Sequence, residues 1–146
     1  MKRWFCLVLA VLLLAALTGC NFTTNFNDST GTTKMEATDK VRQMMDALAD
    51  GDMAAAEGLL HSNVTGEKKE TLVQLQSFLA GRRTVSLEQM NLKVQNYTGT
   101  GGKTRQEQAN FQAELSDGTR FYLNVCYVSD DASQGFTSFQ FVLGVV

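Results

Sequence analysis

The chain has no proline, one tryptophan (Trp4), one histidine (His61) and three cysteines in 146 residues. Without proline, no helix or strand meets a residue that lacks an N–H, so long ladders can run uninterrupted. A single histidine and scattered cysteines supply no ligand set for zinc, and neither a metal nor a cofactor is expected. Charge is also sparse. The 13 Lys and Arg against 15 Asp and Glu leave a formal charge of −2. That balance argues against nucleic acid, whose phosphates need neutralising, and against a polybasic grip on anionic lipid.

What is present begins at the N-terminus. Lys2 and Arg3 precede 13 uniformly apolar residues, Phe5 to Leu17. As a helix this run is about 20 Å long, against about 30 Å of bilayer hydrocarbon, which suits a secretory signal rather than a membrane span. Small residues, Thr18 and Gly19, then precede Cys20. The sequence Leu17-Thr18-Gly19-Cys20 resembles the lipobox of bacterial lipoproteins; the alternative is an ordinary secretory peptide with a chance cysteine. The resemblance implies a diacylglyceryl group on the Cys20 thiol, cleavage before Cys20, and a membrane partner reached through that anchor. Two or three acyl chains hold a protein stably. Cleavage would remove 19 residues, leave 127, and shift the formal charge to −4 as Lys2 and Arg3 depart. Cys6 would leave too, so Cys126 would have no partner and no intrachain disulfide is expected. Four Asn-x-Ser/Thr sequons, at Asn21, Asn27, Asn63 and Asn96, lose their meaning in a bacterial host.

Three segments follow: a signal over 1–19, a lipidated cysteine with a flexible Asn/Thr/Ser-rich tether over 20–36, and a domain over 37–146. Phe22 and Phe26 leave an N-terminal strand open as an alternative to the tether. Val41, Met44, Met45 and Leu48 recur with helical period, and Thr38 or Asp39 can cap that helix. Asp50-Gly51-Asp52 ends it and begins a second helix bearing Met53, Ala56, Leu59 and Leu60. A third runs from about Glu67 to Ala80, stopped by Gly81. After Arg83 the period becomes two. One alternation places Met90, Leu92 and Val94 inward with Gln89 outward. A second places Ala109, Phe111, Ala113 and Leu115 inward. A third does so for Phe121, Leu123, Val125 and Tyr127, and a fourth for Phe139, Phe141, Leu143 and Val145. Tyr97–Gly102 and Ser129–Gly135 read as loops, and Asp117-Gly118 as a two-residue hairpin turn. Three helices before a four-stranded antiparallel meander define an α+β fold, with the helices on the apolar face.

The stretch from Val41 to Val64, VRQMMDALADGDMAAAEGLLHSNV, resembles the opening of the NTF2-like, or cystatin-like, superfamily. The resemblance covers residues 37–146. It implies a curved sheet around the helices, a cone-shaped pocket at one end, and in many members pairing through the sheet. Enzymes of the superfamily place an acid or base inside the pocket.

Tyr127 is the one titratable group among the inward positions, with Glu88 and Glu107 at strand ends. Alone it is a poor proton-transfer group. It reads as a core aromatic with its hydroxyl at a pocket rim. His61 reads either as a surface residue ending the second helix, where a cation suits the dipole, or as a pocket base. Gly99-Thr100-Gly101-Gly102-Lys103-Thr104 is not a phosphate loop, because Tyr97 replaces the first glycine and a strand follows. The cluster of Met44, Met45, Met53 and Met90 fits core packing better than an adaptable pocket. On the polar sheet face, Tyr122, Cys126 and Val142 form an apolar centre within a field that includes Asn124 and Gln140. That is the anatomy of an interface, or simply a solvated face.

The expected role is a lipid-anchored, extracytoplasmic binding domain, not an enzyme. It would take a protein partner, a second copy through the sheet, a peptide or a small apolar ligand. The alternatives are a small isomerase- or hydrolase-like pocket enzyme, or an inhibitor or immunity-type protein directed at a wall-acting enzyme.

Overall fold

The computed structural model describes residues 34–144 and the backbone of Asn25–Asn27. The signal, Cys20 and Val145 lie outside the described residues. The elements are β1 (Asn25–Asn27), α1 (Thr38–Asp50), α2 (Met53–Glu57), α3 (Gly66–Leu79), β2 (Thr84–Gly99), β3 (Gly102–Leu115), β4 (Arg120–Asp130) and β5 (Gln134–Leu143). The class is α+β, as expected. The sheet has the order β1-β2-β3-β4-β5, each neighbour antiparallel.

Helix α1 buries Val41, Met44, Met45 and Leu48, the stripe its period predicts. Its C-terminus closes on Gly51 at φ 75°, with the Asp52 N–H donating to the Ala47 carbonyl at 2.9 Å. The Asp52 side chain then accepts from the Ala55 N–H at 3.0 Å and starts α2. Helix α2 is shorter than expected. Leu59 and His61 leave it to pair with β5: the Phe136 N–H donates to the Leu59 carbonyl at 2.9 Å, and the His61 N–H to the Phe136 carbonyl at 3.0 Å. Helix α3 buries Leu72, Leu75 and Leu79, and sets Phe78 with ring centroids 5.2 Å from both Phe121 and Phe141. Its left-handed terminus falls on Ala80 (φ 47°), one residue before the expected Gly81.

Four rows of paired residues run across the sheet's inner face: Leu87-Ala113-Phe121-Leu143, Gln89-Phe111-Leu123-Phe141, Leu92-Ala109-Val125-Phe139 and Val94-Glu107-Tyr127-Phe136. Leu143, expected inward, is exposed at the end of β5. Ala109, Phe111, Phe121, Val125 and Phe136 are fully buried. The last row brings a carboxylate and a phenol into a face that is otherwise apolar apart from Gln89.

Several expectations need correction. The segment read as tether contains β1, whose Asn25 pairs with Asn96, and Met35 and Ala37 are buried in the core. Packing therefore begins before residue 37, and β1, the strand left open as the alternative to a tether, adds a short fifth strand to the edge of the expected four-stranded meander. Met90 does not point inward; it is 54% exposed. The register shifts between Gln89 and Asn91, so Met90 is a bulge residue. The bulge turns Gln89 inward, where its Oε1 accepts the Met35 N–H at 2.8 Å. Neither Thr38 nor Asp39 caps α1 with its side chain; the Thr38 hydroxyl donates to the Met35 carbonyl at 2.7 Å. The strands run further than expected, so both supposed loops shrink to tight turns, at Thr100–Gly101 and Asp131–Ser133. The Asp117-Gly118 hairpin closes as a three-residue loop. The Gly118 N–H donates to the Leu115 carbonyl at 2.9 Å, and Gly118 takes a left-handed φ of 84°.

Candidate functional site

At one end of the inner face the sheet turns polar. The next row is Asn96-Arg105-Ser129-Gln134, immediately beyond Val94-Glu107-Tyr127-Phe136. The start of α1 lies over these two rows. Together they enclose a half-open cleft of about 170 Å³ lined by Glu36, Ala37, Lys40, Arg105, Glu107, Tyr127, Ser129 and Gln134. Its volume is that of about five or six waters, so it suits a small polar molecule.

Glu107 sits on its floor and is 2% exposed. Arg105, two residues away on the same strand face, donates to Oε1 from Nε at 3.2 Å and from Nη2 at 2.9 Å. The same Nη2 reaches Glu36 at 3.3 Å. Glu107 Oε2 faces the Ala37 N–H at a long 3.4 Å. A carboxylate thus stands at the N-terminus of α1, where the helix dipole favours an anion. Its second oxygen keeps most of its accepting capacity.

Tyr127 is 9% exposed and packs edge-on against Phe136, with ring centroids 5.0 Å apart. Among the described residues its hydroxyl has no hydrogen-bond partner. Burial, and next the charge on Glu107, push the phenol above its usual range, so the hydroxyl remains a donor at neutral pH. Lys40, half-buried on the first turn of α1, makes no ion pair among the described residues.

His61 is not at the cleft. It is 4% exposed, beyond the end of α2, in a clasp between the α2–α3 connection and the β4–β5 turn. Its Nδ1 accepts from the Asn63 N–H at 3.3 Å, which leaves the proton on Nε2. Nε2 faces Asp130 Oδ2 at 3.0 Å and Ser133 Oγ at 2.7 Å. A Ser, a His and an Asp therefore meet, but both partners crowd one ring nitrogen. A hydrolytic triad needs serine and aspartate on opposite nitrogens, so the cluster is a structural clasp. Asp130 is also held by the Ser133 and Ala132 N–H groups, then by His61, and its carboxyl lies below the usual range.

Tyr122, Asn124, Cys126, Gln140 and Val142 share the outer sheet face. Tyr122 pairs with Val142, and Asn124 with Gln140. Tyr122 is 44% and Val142 65% exposed, whereas Cys126 is half-buried. The Asn124 amide donates to Asn110 at 2.6 Å. Among the described residues no group of His, Cys, Asp and Glu could hold a metal, and no helix is long and apolar enough to cross a membrane.

Sequence reasoning placed Glu107 at a strand end and passed over Arg105, Lys40, Ser129 and Gln134. The signal was available: residue 107 shares parity with Ala109, Phe111, Ala113 and Leu115. Compared with known proteins, the chain matches no family model, no curated protein and no solved structure.

Proposed function

We propose that the protein is an extracytoplasmic lipoprotein, anchored through Cys20, whose NTF2-like α+β domain binds a small polar molecule. The observation that carries the binding reading is the cleft over buried Glu107, with the Tyr127 hydroxyl, which has no hydrogen-bond partner among the described residues, beside it. Specific ligand sites are concave and present a few convergent polar groups, and this cleft has both. The apolar interior of the cone is filled by Phe111, Phe121, Leu123 and Phe136, which favours a polar ligand over a small apolar one. The anchor reading rests on Leu17-Thr18-Gly19-Cys20.

Native mass spectrometry of the full-length protein, released from detergent, tests both halves. The expected spectrum shows an acylated chain beginning at Cys20, with a small molecule retained in a fraction of it. An unacylated chain overturns the anchor, and a uniformly empty one counts against the binding role. The same spectrum tests pairing through Tyr122 and Val142, whose exposed apolar surface favours a second copy on the outer face.

A second reading has one observation in its favour. Glu107 Oε2 and the Tyr127 hydroxyl face one cleft, as an acid–base pair would. Against it, Glu107 is engaged by Arg105 and by the start of α1, the arrangement of a structural ion pair.

A further inference from the structure

The cleft contains more donors than its own residues use. Lys40 carries a cation with no ion pair among the described residues. The Tyr127 hydroxyl has no hydrogen-bond partner among the described residues; its ring is buried, but the hydroxyl itself opens to the cleft and is free to donate there. Ser129 and Gln134 add neutral groups at the mouth that can donate or accept. The buried acceptor is Glu107 Oε2, with its single 3.4 Å contact, while the Glu36 carboxylate is exposed. The four charged groups cancel formally; Arg105 pairs with both Glu36 and Glu107, and Lys40 is the cation that makes no ion pair among the described residues. A complementary ligand presents a compact anion to Lys40 and Tyr127, and one hydrogen-bond donor to Glu107. An anion without that donor would meet the buried carboxylate directly and be repelled.

Resting on the binding role proposed above, we infer that the cleft between the α1 start and the Glu107-Tyr127 row takes a small carboxylate bearing a hydroxyl or amino group on the adjacent carbon. The carboxylate would accept from Lys40 Nζ and the Tyr127 hydroxyl, and the neighbouring O–H or N–H would donate to Glu107 Oε2. The volume of about 170 Å³ admits two or three carbons and excludes a bulky side chain unless it projects through the open side.

Calorimetric titration of the full-length protein in detergent tests this, using glycolate, glycine, acetate, acetamide and inorganic phosphate. Glycolate or glycine is expected to bind with a Kd of about 1 mM or below, a reasonable value for five non-hydrogen atoms. Acetate should bind about tenfold more weakly, and acetamide not measurably. Tyr127→Phe and Lys40→Gln should each weaken binding about tenfold, the effect of one charge-assisted hydrogen bond. Tyr127→Phe should leave the thermal midpoint unchanged, because the hydroxyl has no partner to lose; it is the variant that separates binding from folding. Equal binding of acetamide and glycolate, tighter binding of phosphate, or unaltered affinity in Tyr127→Phe overturns the assignment. If none of the five binds while native spectra show a different retained molecule, the carboxylate assignment falls and the binding role stands. If the spectra are empty as well, both fall.

Discussion

Glu107 and Ala37 are 70 residues apart, yet the carboxylate of one receives the backbone N–H of the other at 3.4 Å. Together with Gln89 Oε1 on the Met35 N–H, this fixes the entry to α1 against the sheet. Replacing Glu107 with Ala removes that contact and leaves Arg105 to Glu36 alone. The expected loss is about 2 kcal/mol, read from the urea midpoint, with Glu107→Gln losing less.

Gly135 lies where β5 meets the chain after α2. A Cβ there would come within 2.3 Å of the His61 nitrogen and 2.5 Å of the Leu60 carbonyl carbon, both backbone. Neither can swing away as a side-chain tip could. Gly135→Ala should cost about 3 kcal/mol and expose the Phe136 N–H to hydrogen exchange.

The bulge at Met90 predicts a contrast between near neighbours. Met90→Gln, at an exposed position, should change stability by less than about 0.5 kcal/mol. Leu92→Ala, in the buried face, should cost about 3 kcal/mol. Equal costs in a denaturation series would mean that the register does not shift there.

Ala80 holds a left-handed φ of 47°, with its N–H donating to the Gln76 carbonyl at 3.0 Å. An L-residue with a Cβ is strained in that region, and glycine is not. Ala80→Gly should raise stability by about 1 kcal/mol, visible as a higher thermal midpoint.

Asp130 gives a pH dependence of known sign. Its folded-state carboxyl lies below the usual range, because the Ser133 and Ala132 N–H groups and then His61 favour the anion. Such a group contributes stability that is present above the unfolded value of about 4 and is lost as pH falls through the lower folded value. The stability gap between wild type and Asp130→Asn should be full at neutral pH and shrink below about pH 4. A gap that widens in acid would reverse the sign.

The periodicities of α1, α3, β3 and β4 were legible because each faces one apolar core, and Val41 or Phe111 has a single place to go. The bulge misplaces Met90 because it switches the inward positions from odd (Leu87, Gln89) to even (Leu92, Val94), and an apolar residue at 90 extends the even alternation by one step. Met35 was assigned to a tether because a lone apolar residue in a polar stretch has no period. Its burial depends on Gln89, 54 positions later. The cleft was hidden for a related reason. Glu107 has the parity of the core, but composition alone places a glutamate outside, and only Arg105 and the start of α1 make its burial tolerable. His61 was read as a helix end because the residues after Glu57 look helical. The backbone instead commits Leu59 and His61 to Phe136.

If Cys20 carries acyl chains, the pairing of β1 limits how far the domain would stand from a bilayer. Asn25, Asn96, Arg105, Ser129 and Gln134 form one continuous rung across the sheet. Five peptide steps separate Cys20 from Asn25, a reach of at most about 18 Å even when fully drawn out. β1 also runs so that its N-terminal side points toward the Thr100–Gly101 turn. With acyl chains on Cys20, the leash would be short and would leave from the rung that borders the cleft. The cleft would then sit close to the headgroups, sampling the thin layer at the membrane surface rather than the open compartment.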